Sequence, residues 1–245
     1  MFIIGVRNMI ELLSGFGILL IYFVVCASSA LLLRRFVPMP SEVFRKLLHI
    51  ILLCSLFVWV YVFETWWICS LTAVIFVVIV FPILSLAERL DFYSDLLTER
   101  KSGEIKHSLV LVFGMFTVLN GICWGWLGER WLVIACICAW GFGDAAAALI
   151  GKKYGKHHLE GRMIEGRKSL EGTMTMFAVS LISVFIVLLI NGNIEWYAAL
   201  VIAALTAAAS AAVELFTRGG MDTVTCPFAA AAVLLPLLSI WGVIV

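Results

Sequence analysis

Eight long apolar runs separated by short polar segments account for nearly the whole chain: Leu12 to Leu33, Leu47 to Phe63, Trp66 to Leu86, Ser108 to Trp124, Trp131 to Ile150, Thr173 to Ile190, Trp196 to Phe216 and Val224 to Val245. Each is close to the roughly 20 residues that a helix needs to cross a bilayer core. The pattern predicts an all-α polytopic membrane protein of about eight transmembrane helices, a single integral membrane domain over residues 1–245. Little chain is left for a separate soluble catalytic domain. The first run is long, lacks a small-residue cleavage site and is followed by Arg34 and Arg35 as a stop-transfer flank, so it is expected to be a retained span.

Composition agrees and then adds an orientation. The chain is 63% hydrophobic and 13% charged, with mean hydropathy +1.10, far from soluble usage. A formal charge of +1 gives no basic field for a nucleic-acid partner. The 17 basic residues are sorted, however. Alternating the connections between two sides puts Arg34, Arg35, Arg45, Lys46, Arg89, Arg100, Lys101, Lys106, Lys152, Lys153, Lys156, Arg162, Arg167, Lys168 and Arg218 on one side, and only Arg7 and Arg130 on the other. By the positive-inside rule the basic side is cytoplasmic and both termini are external. Trp66, Trp67, Trp124, Trp126, Trp131, Trp196 and Trp241 fall near the external ends, as an interfacial belt requires. The external connections are too short to build a site, so chemistry is expected at the cytoplasmic face. The seven cysteines lie in or beside apolar runs and read as small helix-core residues, not as a disulfide framework or zinc site.

The informative residues are polar ones that lipid would not tolerate. Asp144, in Gly141-Phe142-Gly143-Asp144-Ala145, lies seven residues before Gly151, read here as a loop glycine; that is roughly 10 Å inside the membrane boundary. An ionised carboxylate there must be paired, bound to a metal or in a wet cleft. Glu214 ends the alanine-rich seventh run at a similar depth. Asp222 follows Gly219-Gly220 and precedes Thr223, Thr225 and Pro227, where it also reads as a loop or N-capping residue. Three carboxylates from three helix ends could converge on a divalent cation through hard oxygen ligands. The plainer reading of Asp144 is a helix-pairing charge.

Opposite them stands the polar stretch Gly151 to Gly172. Much of its basicity follows from topology alone, and His157 and His158 read as loop residues. Position says more for Lys152 and Lys153 at the mouth of the Asp144 helix, and for Lys168-Ser169 just before Gly172. Basic groups, a hydroxyl and a helix N-terminus together suit polyphosphate oxygens. No Walker A loop is present: neither Gly151-Lys152-Lys153 nor Gly155-Lys156-His157 has the spacing or the hydroxyl. Any nucleotide site must be assembled between helix ends. Arg45 and His49 share a helix face at i, i+4, with Lys46 adjacent and Glu42 one turn earlier. The segment Glu88 to His107 reads as a solvated connector, within which Gly103-Glu104 could supply a ligand.

Taken in order, Arg45-Lys46 with His49, Gly103-Glu104, Gly143-Asp144-Ala145 followed by Gly151-Lys152 and Gly155-Lys156, Lys168-Ser169-Leu170-Glu171-Gly172, and Glu214 with Asp222 and Pro227 resemble the CTP-dependent lipid-alcohol kinases. That group contains dolichol, phytol and farnesol kinases and CTP-dependent diacylglycerol kinase, and is distantly similar to phosphatidate cytidylyltransferase. The resemblance covers residues 42 to 227. The His-Gly-Gly and Asp-Arg-x-Asp pattern of cytidylyltransferases is missing, which favours phosphoryl over nucleotidyl transfer; Thr223 stands where the kinase branch usually has Asn. The resemblance implies CTP as co-substrate and Mg²⁺ held by Asp144 with Glu214 or Asp222. It implies a nucleotide-binding set of Gly151, Lys152, Lys153, Lys156, Arg167, Ser169, Gly172, Arg45 and Lys46. It further implies catalytic roles for Asp144, Lys168, Glu214, Asp222 and His49, with Asp144 or His49 accepting the proton of a lipid alcohol that enters from the bilayer. The alanine-rich helix could also pack between chains, as in a homo-oligomer.

Two readings from other classes fit less well. Gly141-Phe142-Gly143-Asp144 spells the Gly-x-Gly-Asp of intramembrane aspartyl proteases, but that chemistry needs a second aspartate on another span, and Asp91, Asp95 and Asp222 are placed in loops. A proton- or ion-coupled transporter would carry charge near the midplane, whereas here the polar features crowd one face.

Overall fold

The structure, a computed structural model, describes residues 2–89, 103–159, 161, 164, 168–191 and 194–244. Its helices are α1 (Phe2–Phe36), α2 (Ser41–Val62), α3 (Trp66–Ala87), α4 (Glu104–Asn120), α5 (Arg130–Tyr154), α6 (Leu170–Ile190), α7 (Trp196–Phe216) and α8 (Asp222–Ile240). A π-helical turn, Gly121–Trp126, continues α4. Among the described residues these eight helices are long and apolar enough to cross a membrane, so the protein is an all-α multi-pass membrane protein.

Several boundaries differ from the hydropathy reading, three of them for a clear local reason. Helix α4 starts at Glu104 instead of Ser108, because Gly103 adopts φ 81°, a left-handed conformation that glycine reaches without strain. Helix α5 runs through Gly151 to Tyr154, so Gly151 is helical and not a loop residue; Lys152 and Lys153 form the last turn, where cations suit the helix dipole. Asp222 is the first residue of α8, after a turn in which Gly219 and Gly220 take φ 63° and 78°.

The chain forms two compact units, Met1–Gly125 and Trp126–Val245, where the hydropathy pattern alone is read as one domain. In the first unit Trp59 is fully buried and meets Phe63, Phe76 and Phe113 with ring centroids 5.7, 5.9 and 5.4 Å away. Glu11 of α1 accepts hydrogen bonds from the backbone N–H groups of Glu64 and Thr65, both at 2.9 Å. It thereby serves the exposed donors at the start of α3, which Thr65 does not cap itself.

In the second unit α5 packs on α6 and α8, and α7 packs on the same two helices, which closes a four-helix bundle. The central member is α5, 67% of whose spanning window is buried within the protein. Apolar surface gives little drive for helix association in lipid, so close backbone approach matters more. The α5–α6 crossing shows it at Gly143. A Cβ there would fall on Ser180 Oγ, 2.7 Å from Met176 Sδ and 3.1 Å from the Met176 carbonyl. Ser180 Oγ already donates to the Ala139 carbonyl at 2.7 Å. Gly143→Ala is expected to cost about 1–3 kcal/mol of stability, read as a lowered unfolding midpoint in detergent.

Candidate active site

The site is built where α5 ends and α6 begins. Ser169 is the N-cap of α6: its backbone is extended and its hydroxyl accepts from the Gly172 N–H at 3.2 Å. The backbone around it is closely packed at three glycines. A Cβ on Gly155 would fall on the Gly151 carbonyl and lie 2.7 Å from Ser169 Oγ; one on Gly172 would lie 3.2 Å from the Ala147 carbonyl. The spacing that suggested a phosphate cradle at Gly151, Ser169 and Gly172 thus describes, in this structure, a close crossing of α5 over α6. Ser169 is 4% exposed and its hydroxyl is engaged by the helix it starts.

A short antiparallel hairpin grows from this crossing, an element the apolar pattern does not announce. Strand β1 (His158–Leu159) pairs with β2 (Lys168–Ser169), His158 opposite Ser169 and Leu159 opposite Lys168. His157 Nδ1 lies 2.7 Å from the Glu171 carboxylate, and the Leu170 N–H donates to the His157 carbonyl at 2.9 Å. The hairpin is pinned on its other side as well. Lys168 Nζ donates to the Glu214 carboxylate at 2.9 Å and also to the Glu214 main-chain carbonyl, so one ammonium ties the start of α6 to the end of α7. Lys152, Lys153 and Lys156 are exposed beside the hairpin. Arg167 lies outside the described residues.

The three carboxylates singled out in the sequence share one neighbourhood. Cys226 of α8 is fully buried, and Asp222, Glu214 and Asp144 all lie within electrostatic reach of its thiol. They come from α8, α7 and α5. A hydroxyl pair, Thr217 with Thr225 at 2.9 Å, holds the end of α7 to the first turn of α8. Among the described residues, no three His, Cys, Asp or Glu side chains form a cage that could hold a metal ion unaided. Of the three carboxylates, Glu214 is engaged by Lys168, so the lysine and the carboxylates at this end of the bundle form one charged neighbourhood.

Arg45, Lys46 and His49 belong to α2 of the first unit. Arg45 is gripped by two carboxylates, Glu42 at 2.5 Å and Glu104 at 2.8 Å. Lys46 is 7% exposed. The segment read as a solvated connector contains a shielded ion pair between Lys106 and Glu88 at 2.5 Å. Sequence reasoning gave Glu171, Glu88 and Cys226 no partner: Glu171 stood only within a resemblance motif, Glu88 at the edge of a connector and Cys226 as a core residue. Glu171 carried a usable signal as an acid in the first turn of a helix; the other two depend on contacts distant in sequence.

The fold and these residues define a multi-pass membrane protein whose second unit gathers carboxylates and lysines at one end of its bundle. The chain is 28% identical over 228 residues to the phytol kinase of Synechocystis sp., a match that covers 89% of this chain and 88% of that protein. The similarity therefore runs through both units. No family model matches the chain, and no solved structure matches it.

Proposed function

We propose that the protein is a membrane-embedded kinase that transfers the γ-phosphate of CTP to the hydroxyl of a lipid alcohol, a polyprenol, dolichol, phytol or diacylglycerol. The observation that carries this reading is the end of the second unit's bundle, where Lys168 of the hairpin joins Glu214 of α7 at 2.9 Å and Asp222 and Asp144 lie within electrostatic reach of the same buried Cys226. Similarity to a phytol kinase over nearly the whole chain supports the same class of acceptor. The sorted basic residues support a cytoplasmic position for this end of the bundle, where nucleotide is available, and external termini.

The donor chemistry fits Mg²⁺. That ion is commonly held by one or two carboxylates together with substrate phosphates and water, so a protein-only cage is not needed. Asp144, with Glu214 or Asp222, would hold it, and when bound it would offset the negative charge of the phosphates. The chain's own residues do the rest. Lys152, Lys153 and Lys156, with Arg167, attract the nucleotide; Lys168 fixes the hairpin against α7 and adds positive charge where the transferred group passes. The alcohol oxygen forms a bond to the γ-phosphorus, the bond to the β,γ-bridging oxygen breaks, and CDP leaves. The alcohol proton goes to Asp144. Because phosphoryl transfer has a loose transition state, placing the two oxygens in line matters more than a strong base.

Mass analysis of lipids from membranes given CTP and a lipid alcohol tests the reaction. A phosphomonoester of the alcohol supports the kinase, whereas a CDP-lipid formed from phosphatidate would establish the cytidylyltransferase in its place. Sidedness has its own test: alkaline phosphatase fused after Val245 is expected to be active and the same enzyme inserted near Gly161 inactive, and the reverse pattern would invert the topology.

A further inference from the structure

Among the described residues, six serines and threonines are buried, and three of their hydroxyls donate to main-chain carbonyls while Ser169 accepts from a backbone N–H. Ser55 donates to Leu52 at 2.6 Å, Thr72 to Ile68 at 2.7 Å and Ser180 to Ala139 at 2.7 Å, and each of the three is fully buried. Two hydroxyls on α7 break the habit. Thr206 and Ser210 are 0% exposed, and neither Oγ has a hydrogen-bond partner. Each could have bonded to the carbonyl four residues earlier, as Thr217 does to Val213 at 2.7 Å. A buried hydroxyl without a partner is destabilising, and replacing it by an apolar group of the same shape is neutral or favourable. Two of them one turn apart on an otherwise apolar helix therefore present two buried hydroxyls that a ligand entering there could engage.

Their position says what. Thr206, Ser210 and Glu214 follow at four-residue steps, so they form one stripe of α7, Ser210 about 6 Å and Thr206 about 12 Å from Glu214 along the axis. Thr206 and Ser210 lie ten and six residues inside the end of α7, and Asp144 lies ten residues inside the end of α5; both helices finish on the basic-loop side. The residues interleaved with them on the buried face, Ala203, Ala207 and Ala211, are small. Parting α7 from its neighbours here exchanges helix packing for contact with a lipid chain, apolar surface for apolar surface. What a lipid chain alone does not supply is a hydrogen-bonding partner for the two hydroxyls.

We infer that Thr206 and Ser210 bind the hydroxyl of the lipid alcohol as it enters between the helices, and hold it at the depth of Asp144. This deepens the proposed kinase reading and rests on it for the identity of the ligand. The hydroxyls are positioning and specificity residues: they distinguish an alcohol from a hydrocarbon of equal length and leave the nucleotide untouched.

The test uses the full-length protein in detergent with phytol, and with phytene, which has the same skeleton without the hydroxyl. Phytol is expected to raise the thermal unfolding midpoint of the wild type more than phytene does. Ser210→Ala and Thr206→Val are expected to unfold no earlier than the wild type without ligand, and each weakens phytol binding roughly five-fold, while the double variant treats the two lipids alike. In turnover the KM for phytol rises and the KM for CTP does not. Equal effects of phytol and phytene on the wild type, or an undiminished preference for phytol in the double variant, would overturn the inference. Failure of the kinase reading shows separately, as wild-type protein that prefers phytol in binding yet forms no phosphomonoester.

Discussion

Asp144→Asn is expected to lower turnover by on the order of 10²- to 10³-fold while the protein still inserts and unfolds at or near the wild-type midpoint. The two halves of this result have separate causes. Asparagine has almost the same shape and removes an ionisable group from a spanning helix, where a carboxylate is costly. Insertion therefore does not suffer, and the neighbouring Gly143 contact with Ser180 and Met176 is unchanged. What is lost is negative charge in the patch that Asp144 shares with Glu214 and Asp222 around Cys226. Initial rates on a lipid alcohol, with a detergent unfolding curve on the same preparation, check both halves. Retention of substantial activity would remove Asp144 from the chemistry and leave it the plainer task of pairing helices.

The second large effect concerns Lys168 and Glu214, whose side chains are 19% and 15% exposed. Removing the ammonium with Lys168→Met leaves a shielded carboxylate uncompensated and takes away the donor to the end of α7. A cost on the order of 3 kcal/mol is expected, together with a large loss of activity, since the hairpin loses its anchor to α7. Glu214→Gln separates structure from chemistry. The amide still accepts from Lys168, so most of the stability remains, but the site loses a carboxylate and turnover falls by at least about ten-fold. Unfolding midpoints and initial rates on both variants decide it. If Glu214→Gln unfolds as early as Lys168→Met and keeps its activity, the pair is only a structural strut.

What could be read in the sequence follows the range of the interactions involved. Hydropathy located all eight spans, because lipid imposes helix and apolarity on every spanning segment and leaves little for tertiary context to decide. It misplaced ends set by single residues, such as the left-handed Gly103 and the helical Gly151. Asp144, Glu214 and Asp222 stood out because a carboxylate near an apolar run is rare enough to notice one at a time. That all three lie within electrostatic reach of Cys226 was not legible, since it depends on how α5, α7 and α8 pack, and Cys226 alone looks like any core cysteine. The lysines gave a different result. Lys168 had the right sign and place to meet phosphate, yet it lies against Glu214, a partner 46 residues away that no local pattern pairs with it. Ser169 looked like a ligand hydroxyl and is an N-cap, which its position just before an apolar helical run already signalled. Thr206 and Ser210 drew no attention within an alanine-rich helix, because a missing hydrogen bond shows only in three dimensions.

The most direct test of phosphoryl transfer at this end of the bundle is to give the purified protein CTP labelled on the γ-phosphate or, in a parallel reaction, on the α-phosphate, with a lipid alcohol as acceptor. The structure and sequence together predict that γ-label moves to an organic-soluble product and α-label stays in the aqueous phase as CDP. Transfer of α-label with release of pyrophosphate, or no transfer of either label, would contradict it.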